Sequence, residues 1–247
     1  MPNRYSATSS NSPSGSVQGG LPALTYLQSL IREGEHQQQD FKYRVSDARK
    51  LARSVSAFAN TDGGRLLIGV RDDGYLAGVR SEEEIFMMHQ AAFRYCRPEP
   101  SISFDTYHVD GRTIVVCTVA PSAERPVYAF SERPQKGAGR FTRLDKPTDD
   151  KPMAYVRVRD ENILATPVHL ALWRYAQWPQ GTMMTYDAAV RQLLDALQGS
   201  LPLNQIVRLS RLPRPKVITL LARLIHFGVV RCDYSGQQFL FSLASDL

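Results

Sequence analysis

Apolar residues at Leu24, Leu27, Leu30 and Ile31 recur at the period of one helical face, which predicts a helix over 24–32. A polar run follows, and Phe41 and Lys42 read as a short strand. Ser46 or Asp47 can cap a second helix running to about Asn60, with Leu51, Val55, Phe58 and Ala59 on one face. The turn Asn60-Thr61-Asp62-Gly63-Gly64 stops it. Arg65 to Val70 then reads as a strand. Its unbroken Leu66, Leu67, Ile68 and Val70 imply burial on both faces. Asp72-Asp73-Gly74 is a turn and Tyr75 to Val79 a second strand. Ser81 and Glu84 form a capping box for a helix to about Cys96. Ile102–Val109 and Arg112–Ala120 flank Asp110-Gly111, the dipeptide of a type I′ hairpin turn. Val127–Phe130 and Ala154–Val158 add two strands, separated by a long loop over 131–152.

The pattern changes after residue 185. Tyr186 to Leu197 is amphipathic through Ala189, Leu193, Leu194 and Leu197, and Leu203 to Ser210 is a short second helix. Pro213 or Pro215 opens a third, continued by Val217, Leu220, Leu221, Leu224 and Ile225 until Gly228 ends it. Strands at Val229–Asp233 and Phe239–Ser242 enclose the turn Tyr234-Ser235-Gly236. Three helices and a hairpin make the winged helix-turn-helix pattern. The expected organisation is a disordered tail over 1–20, an α+β domain over 21–174, a linker over 175–184, and a winged helix-turn-helix domain over 185–247.

Hydrophobic residues make up 43% of the 247, enough to bury a core, yet no apolar run approaches the roughly 20 residues of a membrane span. Cys96, Cys117 and Cys232 are odd in number and show no metal-ligand spacing, so a reducing, cytoplasmic compartment is expected. His36, His89, His108, His169 and His226 are scattered and form no ligand pair. The net charge is +6, and its distribution matters more than its size. Between Ala196 and Cys232 stand Arg208, Arg211, Arg214, Lys216, Arg223 and Arg231, with no acid among them. Such a stretch favours a polyanion, although it also fits a solubilising face. Lys42 and Arg44 flank the first strand, and Arg133, Lys136, Arg140 and Arg143 crowd the long loop; both are candidate phosphate contacts.

The most specific stretch opens as Gly-Glu-His-Gln-Gln-Gln-Asp-Phe-Lys at 34–42. It continues as Ala-Phe-Ala-Asn-Thr-Asp-Gly-Gly at 57–64, Leu-Ile-Gly-Val at 67–70 and Asp-Asp-Gly at 72–74. With Tyr155-Val156-Arg157-Val158, it resembles the Schlafen AlbA-2 domain family over about residues 22–165. The resemblance implies an AlbA-like mixed sheet with flanking helices, and nucleic acid as partner. Some relatives are metal-dependent ribonucleases with three carboxylates, which would fall here on Glu35, Asp40 and Asp72 and hold Mg²⁺ or Mn²⁺. Asp40 replaces a Glu, however, and Gln37 stands where another acid is common. Larger relatives carry two such lobes in one chain, so a homodimer is expected to supply the second.

The residues alone allow another account. Ala57 and Ala59 permit close helix–sheet packing, and Asn60, Gly63 and Gly64 suit a tight turn. The glycines could instead cradle a phosphate, but no Walker A loop occurs. The leading expectation is a non-enzymatic nucleic-acid-binding protein, a DNA-binding transcriptional regulator. Arg211, Arg214, Lys216 and Arg223 on or beside its third C-terminal helix, with Lys42 and Arg44, would make the contacts. RNA is the other possible target. The alternatives are a metal-dependent endoribonuclease and a nucleotide-sensing regulator.

Overall fold

The computed structural model describes residues 16–79, 82–130, 151–176 and 186–244. Several expectations lie outside them: the tail over 1–15, Ser81 of the capping box, the loop with Arg133, Lys136, Arg140 and Arg143, the linker residues 177–184, and residue 185.

A five-stranded mixed sheet organises the N-terminal half. Its order is β1 (Ser16–Gly19), β5 (Ile102–Val109), β6 (Arg112–Val119), β3 (Gly64–Ile68) and β2 (Gln39–Lys42). The edge pairs β1–β5 and β2–β3 are parallel, whereas β5–β6 and β3–β6 are antiparallel. The Asp110-Gly111 turn has positive φ at both residues, 49° and 70°, as a type I′ hairpin requires. Leu66, Leu67 and Ile68 are fully buried because each face of the sheet is covered. On one face lies α1 (Leu21–Glu33), whose Leu27 and Leu30 meet Leu67 and Ile114. On the other lie α2 (Ala48–Asn60) and α3 (Glu82–Tyr95), with Phe58 and Met88 against Leu66, Ile68 and Cys117.

Helix α2 is covered on two sides. Beyond it runs a four-stranded sheet in the order β4 (Cys96–Arg97), β7 (Tyr128–Ala129), β8 (Met153–Val158) and β9 (Glu161–Leu164). The buried polar residues of α2 are hydrogen-bonded on this side. Ser56 Oγ donates to the Val127 carbonyl at 2.7 Å and accepts from the Tyr155 amide at 3.1 Å. Ser54 Oγ accepts from Asn162 Nδ2 at 2.9 Å. An apolar periodicity reports only one face of such a helix, and its serines carry the other.

The C-terminal half consists of α5 (Ala188–Ala196), β10 (Leu201–Pro202), α6 (Leu203–Ser210), α7 (Arg214–His226), β11 (Val230–Ser235) and β12 (Gln238–Leu243). The last two strands form a hairpin, and β10 pairs with β12. Leu193, Ile206, Val217, Leu220, Leu221 and Phe241 make its core. Asp187 caps α5 by accepting from the Val190 amide at 2.9 Å. Helix α4 (Pro167–Ala176) contributes Val168 to the same core, although residues up to 174 are expected in the preceding domain.

Several sequence expectations need correction. Ser16–Gly19, assigned to an unpacked tail, form β1. Tyr75–Val79 is not a strand; Leu76 makes one isolated bridge to Val70. The reason lies in Gly69, Gly74 and Gly78, all at φ between 80° and 91°. Ala77 and Gly78 both donate to the Gly69 carbonyl, so the segment curls instead of pairing. A Cβ on Gly69 would stand 2.8 Å from the Gly78 backbone, which fixes glycine there. Among the described residues, no helix is long and apolar enough to cross a membrane.

The α4 junction carries a titrating group. Thr166 Oγ1 lies 2.7 Å from His169 Nδ1, and the His169 ring packs edge-on to Phe239 with centroids 4.5 Å apart. Burial pushes the imidazole down to about 4. The folded state therefore binds fewer protons than the unfolded state between about pH 4 and 6.5, so stability falls as pH drops through that window. Thermal melts should lose about 3 kcal/mol across it from this group. His169→Gln, whose amide can still meet Thr166, is expected to flatten this dependence. An unchanged pH profile in the variant would show that His169 is not the group responsible.

Candidate functional site

The segment 35–42 enters the sheet beside β3, and its consecutive glutamines each reach a different part of the fold. Gln37 Nε2 donates to the Arg157 carbonyl at 2.7 Å, while its Oε1 accepts from the Arg159 amide at 2.8 Å. Gln38 Nε2 donates to the Asp62 carbonyl at 2.9 Å. Gln39, fully buried, donates to the Leu30 and Gly34 carbonyls, both at 2.6 Å, and accepts from Arg65 Nε. An acid at 37 could not donate to Arg157, so the amide there is a structural choice.

Asp40 is buried and faces two cations. Arg157 Nη2 stands 3.3 Å from Oδ1, and Lys42 Nζ stands 2.5 Å from Oδ2, a charge contact without hydrogen-bond alignment. The Arg157 side chain is itself 1% exposed. It donates to Asn162 Oδ1 at 3.0 Å and the Gln39 carbonyl at 3.2 Å, and lies over the Phe58 ring at 5.0 Å. Glu35 sits beside Asp40 and accepts from the Phe41 amide at 2.8 Å. Burial first, then hydrogen bonding to Asp40 and its charge, raise the Glu35 carboxyl above its ordinary value; the Phe41 amide and Lys42 oppose this.

Glu35 and Asp40 thus come together, but Asp72 does not join them. Strands β2 and β3 are parallel, with Asp40 level with Leu66 near the start of both. Asp72 follows the far end of β3 on an exposed turn. Three carboxylates at one sheet end would need the opposite strand direction. Among the described residues, no three His, Cys, Asp or Glu side chains gather so as to hold a metal ion. The Mg²⁺ or Mn²⁺ of metal-dependent relatives does not fit this donor set, because Asp40 is already neutralised by Arg157 and Lys42.

The Ala-Phe-Ala-Asn-Thr-Asp-Gly-Gly element is built for packing. Asn60 Nδ2 donates to the Val127 and Tyr155 carbonyls at 2.9 and 3.0 Å, and Oδ1 accepts from the Val127 amide at 2.7 Å. Thr61 Oγ1 donates to the Ala57 carbonyl and accepts from the Arg157 amide. A Cβ on Gly64 would fall 2.4 Å from the Phe58 ring, and one on Gly63 2.8 Å from the Val119 carbonyl. These glycines serve close approach, with no room left for a phosphate at those positions.

Basic residues occupy the opposite end of the β2–β3 pair. Tyr43 and Arg44 follow β2, Arg71 and Tyr75 follow β3, and Arg112 starts β6. Arg44 lies over Tyr43 at 4.8 Å and Arg71 over the same ring at 4.9 Å. Arg71 and Arg112 lie over Tyr75 at 5.0 and 5.1 Å. Hydrogen bonds from Arg44 and then Arg71 hold the Tyr43 phenol below its ordinary value. Of this ladder, Arg44 alone was legible as a candidate. The others lie in segments that meet only through strand register.

In the C-terminal half, Arg211, Arg214 and Lys216 are exposed around the start of α7. Arg211 occupies the left-handed region at φ 54° and ends α6, and Arg214 donates to Asn204 Oδ1. Arg223 departs from this group. It is half-buried and lies over Tyr175 of α4 at 5.8 Å, with its Nε enclosed.

The profile of the family described as Schlafen, AlbA_2 matches residues 35–166. No curated protein matches the chain. Among solved structures, the DIP2311 protein from Corynebacterium diphtheriae is 18% identical with a TM-score of 0.42. That alignment covers 89% of this chain, which spans only 38% of that one. The N-terminal domain of an ATP-dependent DNA helicase RecG-related protein from Nitrosomonas europaea is 24% identical with a TM-score of 0.34, covering 51% of this chain and 90% of that domain.

The carboxylate pair gives two opposite expectations for stability. Asp40→Asn leaves Arg157 buried without its counter-charge and should destabilise by about 3–5 kcal/mol in denaturant melts. Glu35→Gln removes a carboxyl held next to Asp40 and keeps an oxygen for the Phe41 amide, so it should be neutral or stabilising at pH 7. Equal losses from both variants would contradict the assignment of Asp40 as the structural partner.

Proposed function

We propose that this chain, which belongs to the Schlafen, AlbA_2 family, is a nucleic-acid-binding protein that uses its C-terminal helices to dock on duplex DNA and acts as a transcriptional regulator. The observation that carries this reading is the acid-free stretch 196–232, which places Arg211, Arg214 and Lys216 exposed around the start of α7. The order α5, β10, α6, α7 and the β11–β12 hairpin supports the reading of a winged helix-turn-helix, in which the helix equivalent to α7 would enter the major groove. Phosphate contacts from these residues would supply most of the affinity. Arg223, half-buried beside Tyr175, contributes less in this reading.

The endoribonuclease alternative has the weaker support. A hydrolytic site needs acids free to bind a cation and face the phosphate. Asp40 is buried against Arg157, and Asp72 stands at the other end of the strand pair. The nucleotide-sensing alternative lacks a phosphate loop, and Gly63 and Gly64 are occupied by packing. A homodimer remains part of the proposal, because two copies of α7 would read two half-sites of a symmetric duplex.

Two measurements test the reading. Log affinity for duplex DNA should fall steeply with log salt, and replacing Arg211, Arg214 and Lys216 by Ala should flatten the slope by about 3. An unchanged slope would remove α7 from the binding surface. Light scattering at micromolar concentration should give about twice the 27.7 kDa chain mass. A species of the chain mass alone would remove the homodimer.

A further inference from the structure

We infer that the ladder Arg44–Tyr43–Arg71–Tyr75–Arg112 is a docking track for single-stranded nucleic acid, separate from the duplex-binding helix. This rests on the reading of the chain as a nucleic-acid-binding protein and adds a second site with a different substrate class.

Strand register assembles the ladder. Parallel pairing of β2 with β3 brings their C-terminal ends together, and antiparallel pairing of β6 with β3 brings the first residue of β6 to the same end. Three segments far apart in sequence therefore deliver guanidiniums and phenol rings to one edge. Each ring has two guanidiniums 4.8–5.1 Å from its centroid. Arg44 Nη2 donates to the Tyr43 hydroxyl at 3.1 Å and Arg112 Nη2 to the Tyr75 hydroxyl at 2.9 Å. None of the ion pairs among the described residues involves Arg44, Arg71 or Arg112.

The arginines are thus held in place by rings and not by carboxylates. Their positive charge is kept, and much of the rotamer entropy that binding would otherwise remove is already spent in the free protein. Asp72 and Asp73 lie within the same turn and offset part of this charge; Asp73 Oδ1 accepts from the Tyr75 amide at 3.0 Å. Lys50 lines a groove that continues from Arg44, with Asp47 also in its wall and Lys42 held by Asp40.

A comb of guanidiniums fits any phosphodiester chain. The tyrosines choose between strands. Tyr75 is 46% exposed in the middle of the comb, a position useful to an unstacked base and of no use to a duplex, whose bases are already stacked. In the bound state the guanidiniums take successive phosphates and a base lies against the Tyr75 ring. Tyr43, more enclosed between Arg44 and Arg71, acts as a positioning residue.

The test uses the full chain with fluorescein-labelled oligouridine and oligothymidine, and a labelled duplex beside them. Binding of either single strand supports the track, and binding of neither overturns it. Replacing Arg44, Arg71 and Arg112 together by Gln should lower the single-strand salt slope by about 2, from three contacts of roughly 0.7 each. Tyr75→Ala should weaken single-strand binding about 10-fold, while Tyr75→Phe keeps the ring and most of the affinity. An unchanged slope, or equal losses from the Ala and Phe variants, would overturn the assignment. Duplex binding should be untouched by these changes, and single-strand binding should be untouched by the Arg211, Arg214 and Lys216 variant. The two sites therefore fail separately.

Discussion

The buried guanidinium of Arg157 is the constraint around which the N-terminal unit is arranged. A fixed charge taken out of water is tolerable only when its donors and its charge are met inside. Asp40 meets the charge, Asn162 and the Gln39 carbonyl accept from Nη1 and Nη2, and Phe58 covers its face, while Nε is buried without a hydrogen-bond partner. Those partners come from β2, the β8–β9 hairpin and α2. One side chain therefore joins the first sheet, the second sheet and the helix between them. Loss of β2 would leave the Arg157 guanidinium without its counter-charge.

The same constraint explains the polar character of the segment before β2. Gln37, Gln38 and Gln39 look like a solvated run, yet each closes an orphaned carbonyl on a different neighbour. An amide can donate and accept at once, which a carboxylate at pH 7 cannot. Gln37 uses both functions to bracket the turn at Arg157 and Arg159. The arrangement spends Asp40 on structure, which is why a spacing suited to a metal site does not produce one here.

Much of the architecture was legible from local signals. Helices α2, α6 and α7 follow their apolar periods and caps, and the β5–β6 hairpin follows from Asp110-Gly111. Strands β4, β9 and β10 were not legible, because two to four residues carry too little pattern and their pairing is set by distant partners. The Tyr75–Val79 segment failed for a different reason. Its residues suit a strand, but three glycines at positive φ turn it back on Gly69. For the site, Glu35 and Asp40 were legible as a pair, while the place of Asp72 depended on whether β2 and β3 run parallel, which no spacing reveals.

Strand direction also decides where charge remains for a partner. At the starts of β2 and β3, Asp40 is paired with Lys42 and Arg157, while Glu33 takes Arg65, so little field extends outward. At the far end the arginines are paired with neutral rings. A ring fixes a guanidinium without cancelling it, whereas a carboxylate does both. The two ends of one strand pair therefore carry similar residues to opposite effect. Cations at one end are held by carboxylates, and those at the other lie against neutral rings. This difference, and not the net charge of +6, marks which basic residues can serve recognition.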